Sequence, residues 1–236
     1  MVIEKRARKP EQKRERRTEI LSAAITLLRE RPYNKINIAD VARRAGMAKG
    51  TVFLYFRTRE ELFLSIASCE FDQWFQAMDR SFAEIAGTSE KAARDRVLNA
   101  LSNMLKPDAL LISLIPIVHT VLEQNIGYVQ ARDFKQMLLK GLQRTGALFE
   151  QCLPYLHRGQ GVTFLLWMYA LVIGFSQMAA PAPVIKKVFQ KNPALRVMQI
   201  KFSASYADAL AAILDGWKAQ NAAQDAPGPS RRKEKS

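Results

Sequence analysis

The stretch from Ala45 to Leu62, AGMAKGTVFLYFRTREEL, constrains this chain more than any other. Just ahead of it Ile38, Val41, Ala42 and Ala45 recur at i, i+3, i+4 and i+7, the stripe of a short helix with one apolar face. Asn37 stands where an N-cap belongs, with Asp40 at the third helical position. Gly46 follows the stripe, where a left-handed residue turns the chain at little cost, and Met47 offers an apolar plug for the corner. A second helix starts near Lys49. On its wheel Val52 and Phe56 point inward, Gly50, Thr51 and Leu54 point outward, and Tyr55 sits at the edge. Two short helices around a glycine corner make a helix-turn-helix, and the outward face of the second is expected to enter the major groove of double-stranded DNA. Asn37, Arg43, Lys49, Gly50, Thr51, Leu54 and Tyr55 are its candidate DNA-facing residues.

A further helix start follows at once. Thr58 and Glu61 form a T-x-x-E capping box before Leu62, Phe63 and Ile66. Arg57 and Arg59 flank that N-terminus, and cations beside exposed backbone N–H groups make a phosphate seat. Alone, the two arginines read equally well as a solvated charged face; beside the helix-turn-helix, phosphate contact is the expectation.

Residues from about 14 to 74 resemble the N-terminal domain of the tetracycline repressor (TetR) family of bacterial transcriptional regulators. The resemblance rests on an amphipathic first helix (Ile20, Ala24, Leu27, Leu28), INIADVARRAG, AKGTVFLYF and RTREELF, in that order and spacing. Three positions depart from the family pattern. Ala48 replaces the usual capping Ser, a loss of about 1 kcal/mol. Phe53 replaces a common Tyr and removes a hydroxyl. Leu54 occupies the variable groove-facing position, where it offers contact to a thymine methyl but no hydrogen bond.

Charge supports the motif independently. Of the net +14, residues 1 to 59 contribute +10 and the last ten residues +3, while 60 to 226 carry 16 basic against 15 acidic residues. Confinement of the excess to one end and a short tail suits a protein that neutralises phosphates with one domain. The first 17 residues hold eight Lys or Arg. They read as an arm along the backbone or in the minor groove, or equally as a disordered solubilising extension.

Domains are expected at 1–13 (basic arm), 14–74 (DNA-binding), 75–222 (ligand-binding and dimerisation) and 223–236 (disordered basic tail). Beyond the helix-turn-helix the apolar spacing is helical and no strand alternation occurs, so the fold class is all-α. Helices are predicted near 59–86, 89–106, 108–125, 127–154, 159–179 and 197–220, with a shorter one near 182–191. Cys69 and Cys152 lie far apart with no CxxC spacing, which argues against a zinc site or a disulfide framework. The charged N-terminus lacks an apolar signal region, and a cytoplasmic protein is expected. VTFLLWMYALVIGF raises the question of a membrane span, but Thr163, Ser176, Gln177, Pro181 and Pro183 interrupt or bound it, so it reads as a buried helix and no membrane partner is expected.

One short reading helix covers only a few base pairs, so a homodimer on a palindromic operator is expected. The helix 159–179, apolar all round, and the final helix are the candidate interface, through Phe164, Leu171, Tyr206, Leu210, Leu214 and Trp217 beside the small stripe Ala204, Ala207 and Ala211. The resemblance implies a bundle of two C-terminal helices per subunit, and a ligand pocket in the same domain. Trp74, Met104, Phe149, Trp167, Phe175 and Met178, with His119, Glu123 and Gln177 as polar anchors, are candidates to line it around a small apolar or aromatic effector of unknown identity. No cofactor or metal is expected. Competing readings are an architectural DNA-binding protein that tolerates any sequence, an activator of the same family, and an enzyme with an accessory DNA-binding domain. With two histidines and no P-loop, HExxH or GxSxG motif, catalysis is not expected.

Overall fold

A computed structural model describes residues 10–104 and 109–226. The helices are α1 (Pro10–Glu30), α2 (Ile38–Arg44), α3 (Lys49–Phe53), α4 (Arg59–Ile85), α5 (Glu90–Met104), α6 (Leu110–Ile117), α7 (Tyr128–Cys152), α8 (Gln160–Ala179), α9 (Pro183–Lys191) and α10 (Phe202–Asp225). The described residues contain no strand, and the all-α expectation holds. Two compact units form, Met1–Trp74 with Asp108–Leu139, and Phe75–Pro107 with Lys140–Ser236. Residues 108–139, read from the sequence as part of 75–222, are thus grouped with the N-terminal stretch.

In the first unit, Ile20, Ala24 and Leu27 of α1 share a core with Ile38 and Val41 of α2, Val52 of α3, and Leu62, Phe63 and Ile66 of α4. From α6 onward Leu111, Leu114, Ile115 and Leu122 are also buried. The helix expected over 108–125 breaks at Pro116, which has no N–H to donate: α6 gives way to a π turn over Val118–Leu122 and a 3-10 turn over Glu123–Asn125. The Thr120 hydroxyl donates to the Pro116 carbonyl at 2.9 Å.

A run of rings crosses the second unit. Phe82 lies 5.6 Å from Phe149, Phe149 stacks on Phe164 at 4.7 Å, and Phe164 and Trp167 both approach Trp217, at 6.1 and 5.0 Å. Such offset pairs add to the apolar burial of each ring. The start of α8 is held by Glu150, whose Oε1 accepts the backbone N–H of Gly159 and of Gly161, each at 2.8 Å. Here α7 and α8 touch backbone to backbone: a Cβ on Gly161 would lie 2.2 Å from the Gly146 carbonyl oxygen.

Two ends differ from expectation. Residues 193–198 form a separate 3-10 turn and α10 starts at Phe202, because Gln199 and Lys201 are extended; the apolar pattern of Val197, Met198 and Ile200 runs straight across that break. The final helix also continues to Asp225, into the stretch read as tail. Of the basic arm, residues 10–13 belong to the exposed start of α1, while 1–9 and the tail from 227 lie outside the described residues.

Candidate nucleic-acid interface

The reading unit is built from reciprocal local hydrogen bonds. Asn37 Oδ1 accepts the Asp40 N–H at 3.0 Å and Asp40 Oδ2 accepts the Asn37 N–H at 3.2 Å, so the cap of α2 closes in both directions. That backbone hydrogen bond, with Arg31 and Arg43 nearby, holds the Asp40 carboxyl below the usual carboxylate range. At the other end Gly46 takes φ +65°, the Met47 N–H reaches the Ala42 carbonyl at 2.9 Å, and the Gly46 N–H reaches Arg43 at 3.2 Å. This double closure fixes the corner.

α3 leaves the corner without a side-chain cap, since Ala48 has no acceptor to offer. Val52 and Phe56 are buried, as the wheel requires. Facing solvent are Lys49, Gly50, Phe53 and Leu54, the last 79% exposed, while Thr51 and Tyr55 are half-buried at the edges. Phe53 belongs to this face and was not among the candidates; the signal was its position one turn after Lys49 and Gly50, and Lys49 Nζ lies 5.8 Å from its ring centre. The face is therefore apolar and aromatic at its centre, with an amine at its start. It suits contact with thymine methyl groups more than hydrogen bonding to base edges.

The cations divide into two groups. Lys49 and Arg57 are exposed, and neither side chain forms an ion pair among the described residues. Arg43 is also exposed but is held by Asp40 at 2.5 Å. Arg59, expected beside it as a phosphate contact, is turned inward: its guanidinium lies 4.2 Å over the Tyr33 ring, Nη1 donates to the Ile36 carbonyl at 3.1 Å and Nε to Glu60 at 3.2 Å. Glu60 also accepts the Tyr33 hydroxyl at 2.8 Å. Burial, with that carboxylate beside it, pushes the Tyr33 hydroxyl pKa upward. The capping box at α4 is shifted as well: Thr58 Oγ1 accepts the Glu61 N–H at 3.0 Å, but Glu61 accepts the N–H of Arg57 rather than of Thr58.

The candidate pocket residues are divided between the two units. Trp74, His119 and Glu123 lie in the first unit, the last two in a surface charge cluster where Glu123 bridges His119 at 3.1 Å and Lys135 at 2.7 Å. Phe149 and Trp167 belong to the ring stack of the second unit, Phe175 is half-buried, and Gln177 and Met178 are exposed. The side chain of Met104 lies outside the described residues. Of the aromatic candidates, Trp74 and Phe149 are buried, whereas Trp167 is exposed.

The candidate interface needs the same correction. Phe164, Tyr206, Leu210, Leu214 and Trp217 are buried within the protomer, where α8 and α10 pack on each other, and none presents a free surface. Leu171 is half-buried. The open side of α8 carries Leu166, Trp167, Ala170, Gly174 and Met178, and on α10 the small stripe Ala204, Ala207 and Ala211 remains accessible. α8 is long and apolar enough to cross a membrane, but its buried positions Phe164, Leu165, Met168 and Val172 pack in this core.

Comparison with known proteins agrees with this architecture. Residues 20–66 match the family model described as bacterial regulatory proteins, tetR family, and residues 68–221 match the tetracyclin repressor-like C-terminal domain. The chain is 32% identical over 82 residues to the fatty acid metabolism regulator protein of Bacillus subtilis, covering 35% of this chain and 42% of that protein. It is 30% identical over 101 residues to the transcriptional repressor KstR of Mycolicibacterium smegmatis, covering 43% and 48%. These matches span less than half of each relative. Among solved structures, the fatty acid degradation regulator FadR from Bacillus halodurans superposes with a TM-score of 0.52 at 16% identity, over 84% of this chain and 97% of that one. RolR in complex with resorcinol gives 0.50 at 19% identity, over 93% and 99%. At these identities the likeness is one of fold.

Proposed function

We propose, from the premise that this chain belongs to the tetracycline repressor (TetR) family of bacterial transcriptional regulators, that it is a repressor binding a palindromic operator as a homodimer and leaving it when a small molecule binds the C-terminal unit. The observation that carries the reading is the outward face of α3. Lys49, Gly50, Phe53 and Leu54 stand free on a helix whose other side is locked by Val52 and Phe56, so a preformed surface is offered to the major groove. Lys49 and Arg57 supply phosphate contacts.

A second copy sets the spacing between two such faces. The open side of α8, with Leu166, Trp167, Ala170, Gly174 and Met178, takes the place of the buried residues expected there, and Ala204, Ala207 and Ala211 allow α10 to approach closely. The effector is a small apolar or aromatic compound; relatives named for fatty acid metabolism and for a resorcinol complex support acyl and phenolic candidates. Such a ligand releases DNA only by binding more tightly to a dimer whose reading helices no longer match successive grooves. The cytoplasm is the compartment this role requires.

Fluorescence anisotropy with duplexes tiled across the DNA upstream of the gene tests the reading. A palindromic segment is expected to bind at least about a hundredfold more tightly than its scrambled version. Equal binding to both would instead mark an architectural protein. An effector screen on the bound palindrome then tests release, and a compound that only tightens binding would sink the repressor assignment.

A further inference from the structure

Between α8 and α10 the chain builds α9 and the 3-10 turn Pro193–Met198, and no residue from 182 to 199 is buried. α9 is strongly two-sided. Val184, Ile185, Val188 and Phe189 share one arc, Lys186 and Lys187 lie opposite it, and Lys191 stands at the border, two turns after Val184. The segment is nonetheless a defined shape. Arg196 Nε donates to the Phe189 carbonyl at 3.0 Å and Nη2 to the Gln190 carbonyl at 3.2 Å, which closes the turn back onto the end of α9. The result is a preformed hook that leaves Val184 64% and Val197 89% exposed, with Ile185 and Met198 beside them. An apolar surface of this kind on an ordered element marks an interaction site.

Its tethers indicate what covers it. Three residues (180–182) join α8 to α9, and three (199–201) join the turn to α10. Three extended residues reach about 10 Å. The hook is therefore confined at both ends to the margin of the two helices whose open faces the dimer reading assigns to a second copy. We propose that α9 and the following turn form an arm that lays the apolar arc of Val184, Ile185 and Val197 against the second copy at the rim of that interface. The cationic arc stays in water, where the lysines of the two copies need no partner. The proposal rests on the dimer reading. An anionic surface is the competing occupant, because Lys186, Lys187, Lys191, Arg196 and Lys201 fall in a stretch without acidic residues between Glu150 and Asp208.

Sedimentation equilibrium of the full chain separates these outcomes. Val184→Asp with Val197→Asp changes two solvent-facing positions, so helix content and melting temperature are expected to hold while the dimer dissociation constant rises at least about tenfold. Gly174→Lys, at an open site with nothing within 4 Å of a new Cβ, is expected to abolish the dimer. If Gly174→Lys is monomeric and the arm variant associates like the wild type, the dimer stands and the arm is overturned. If the wild type itself is a monomer at micromolar concentration, both readings fall. Vesicles of phosphatidylglycerol and phosphatidylcholine give the remaining result that overturns the arm: wild-type binding that the double variant loses while its dimerisation is unchanged.

Discussion

α3 and α8 both present apolar side chains to water, yet their order comes from different sources. α3, at five residues, is too short to be stable alone: the closed cap of α2 and the left-handed Gly46 set where it starts, and Val52 and Phe56 anchor its inner side in the core of the first unit. α8, at 20 residues, is fixed by tertiary packing, through Phe164 in the ring stack and Gly161 against Gly146. The difference teaches how to read an exposed apolar residue. On α3 the frame leaves Leu54 exposed, whereas on α8 the same composition divides into a packed side and an open side that only the partners reveal.

The largest test of this contrast lies on α10, which packs against α8. Leu214→Asp places a carboxylate in a fully buried site and is expected to cost more than about 4 kcal/mol, unfolding the second unit. A folded monomer, measured by circular dichroism and sedimentation, would instead return Leu214 to the dimer interface. Next in size is Phe56→Ala. Truncation of this buried ring is expected to cost about 3 to 5 kcal/mol and to abolish DNA binding with the fold of the motif. Its counterpart Leu54→Ala should leave the melting temperature unchanged and weaken operator binding by about 1 kcal/mol, roughly fivefold. Equal loss of stability in the two variants would show that α3 has been assigned the wrong faces.

Gly161→Ala sharpens the comparison from the α8 side. The added methyl group meets the Gly146 backbone rather than a flexible side chain, and a destabilisation of about 1 to 3 kcal/mol is expected in chemical denaturation. The smallest effects separate the arginines. Arg57→Ala and Lys49→Ala should each lower the slope of log affinity against log salt by about 1. Arg59→Ala should leave that slope unchanged and lower stability by about 1 kcal/mol, through its lost contacts with Tyr33 and the Ile36 carbonyl. A shallower salt slope for Arg59→Ala would restore it as a phosphate contact.

What was legible in the sequence follows the same division. Asn37 with Asp40 and Gly46 with Arg43 act within four residues of their partners, and Val52 and Phe56 lie four apart, the spacing of one helix face, so spacing alone exposes them. Arg59 was misread because Tyr33, Ile36 and the carbonyl it takes lie more than 20 positions earlier, brought near only by tertiary folding. Glu61 illustrates a subtler limit: its identity announced a capping box, but the backbone geometry before α4 delivered the Arg57 N–H in place of that of Thr58. On α8 and α10 the periodicity showed apolar faces without showing which neighbour each would meet. Periodicity thus assigns Tyr206, Leu210 and Trp217 to a second copy, whereas the fold buries them in the protomer core.

The contact between Gly146 and Gly161 reaches beyond stability into how this chain can change over generations. With one backbone seated on the other, neither position has room to accept a side chain while the other stays in place. A side chain at either position needs a shift of α7 against α8, and such a shift would carry the open face of α8 with it. Descendants free to exchange their effectors or operators would still be expected to keep a glycine at each of the two positions.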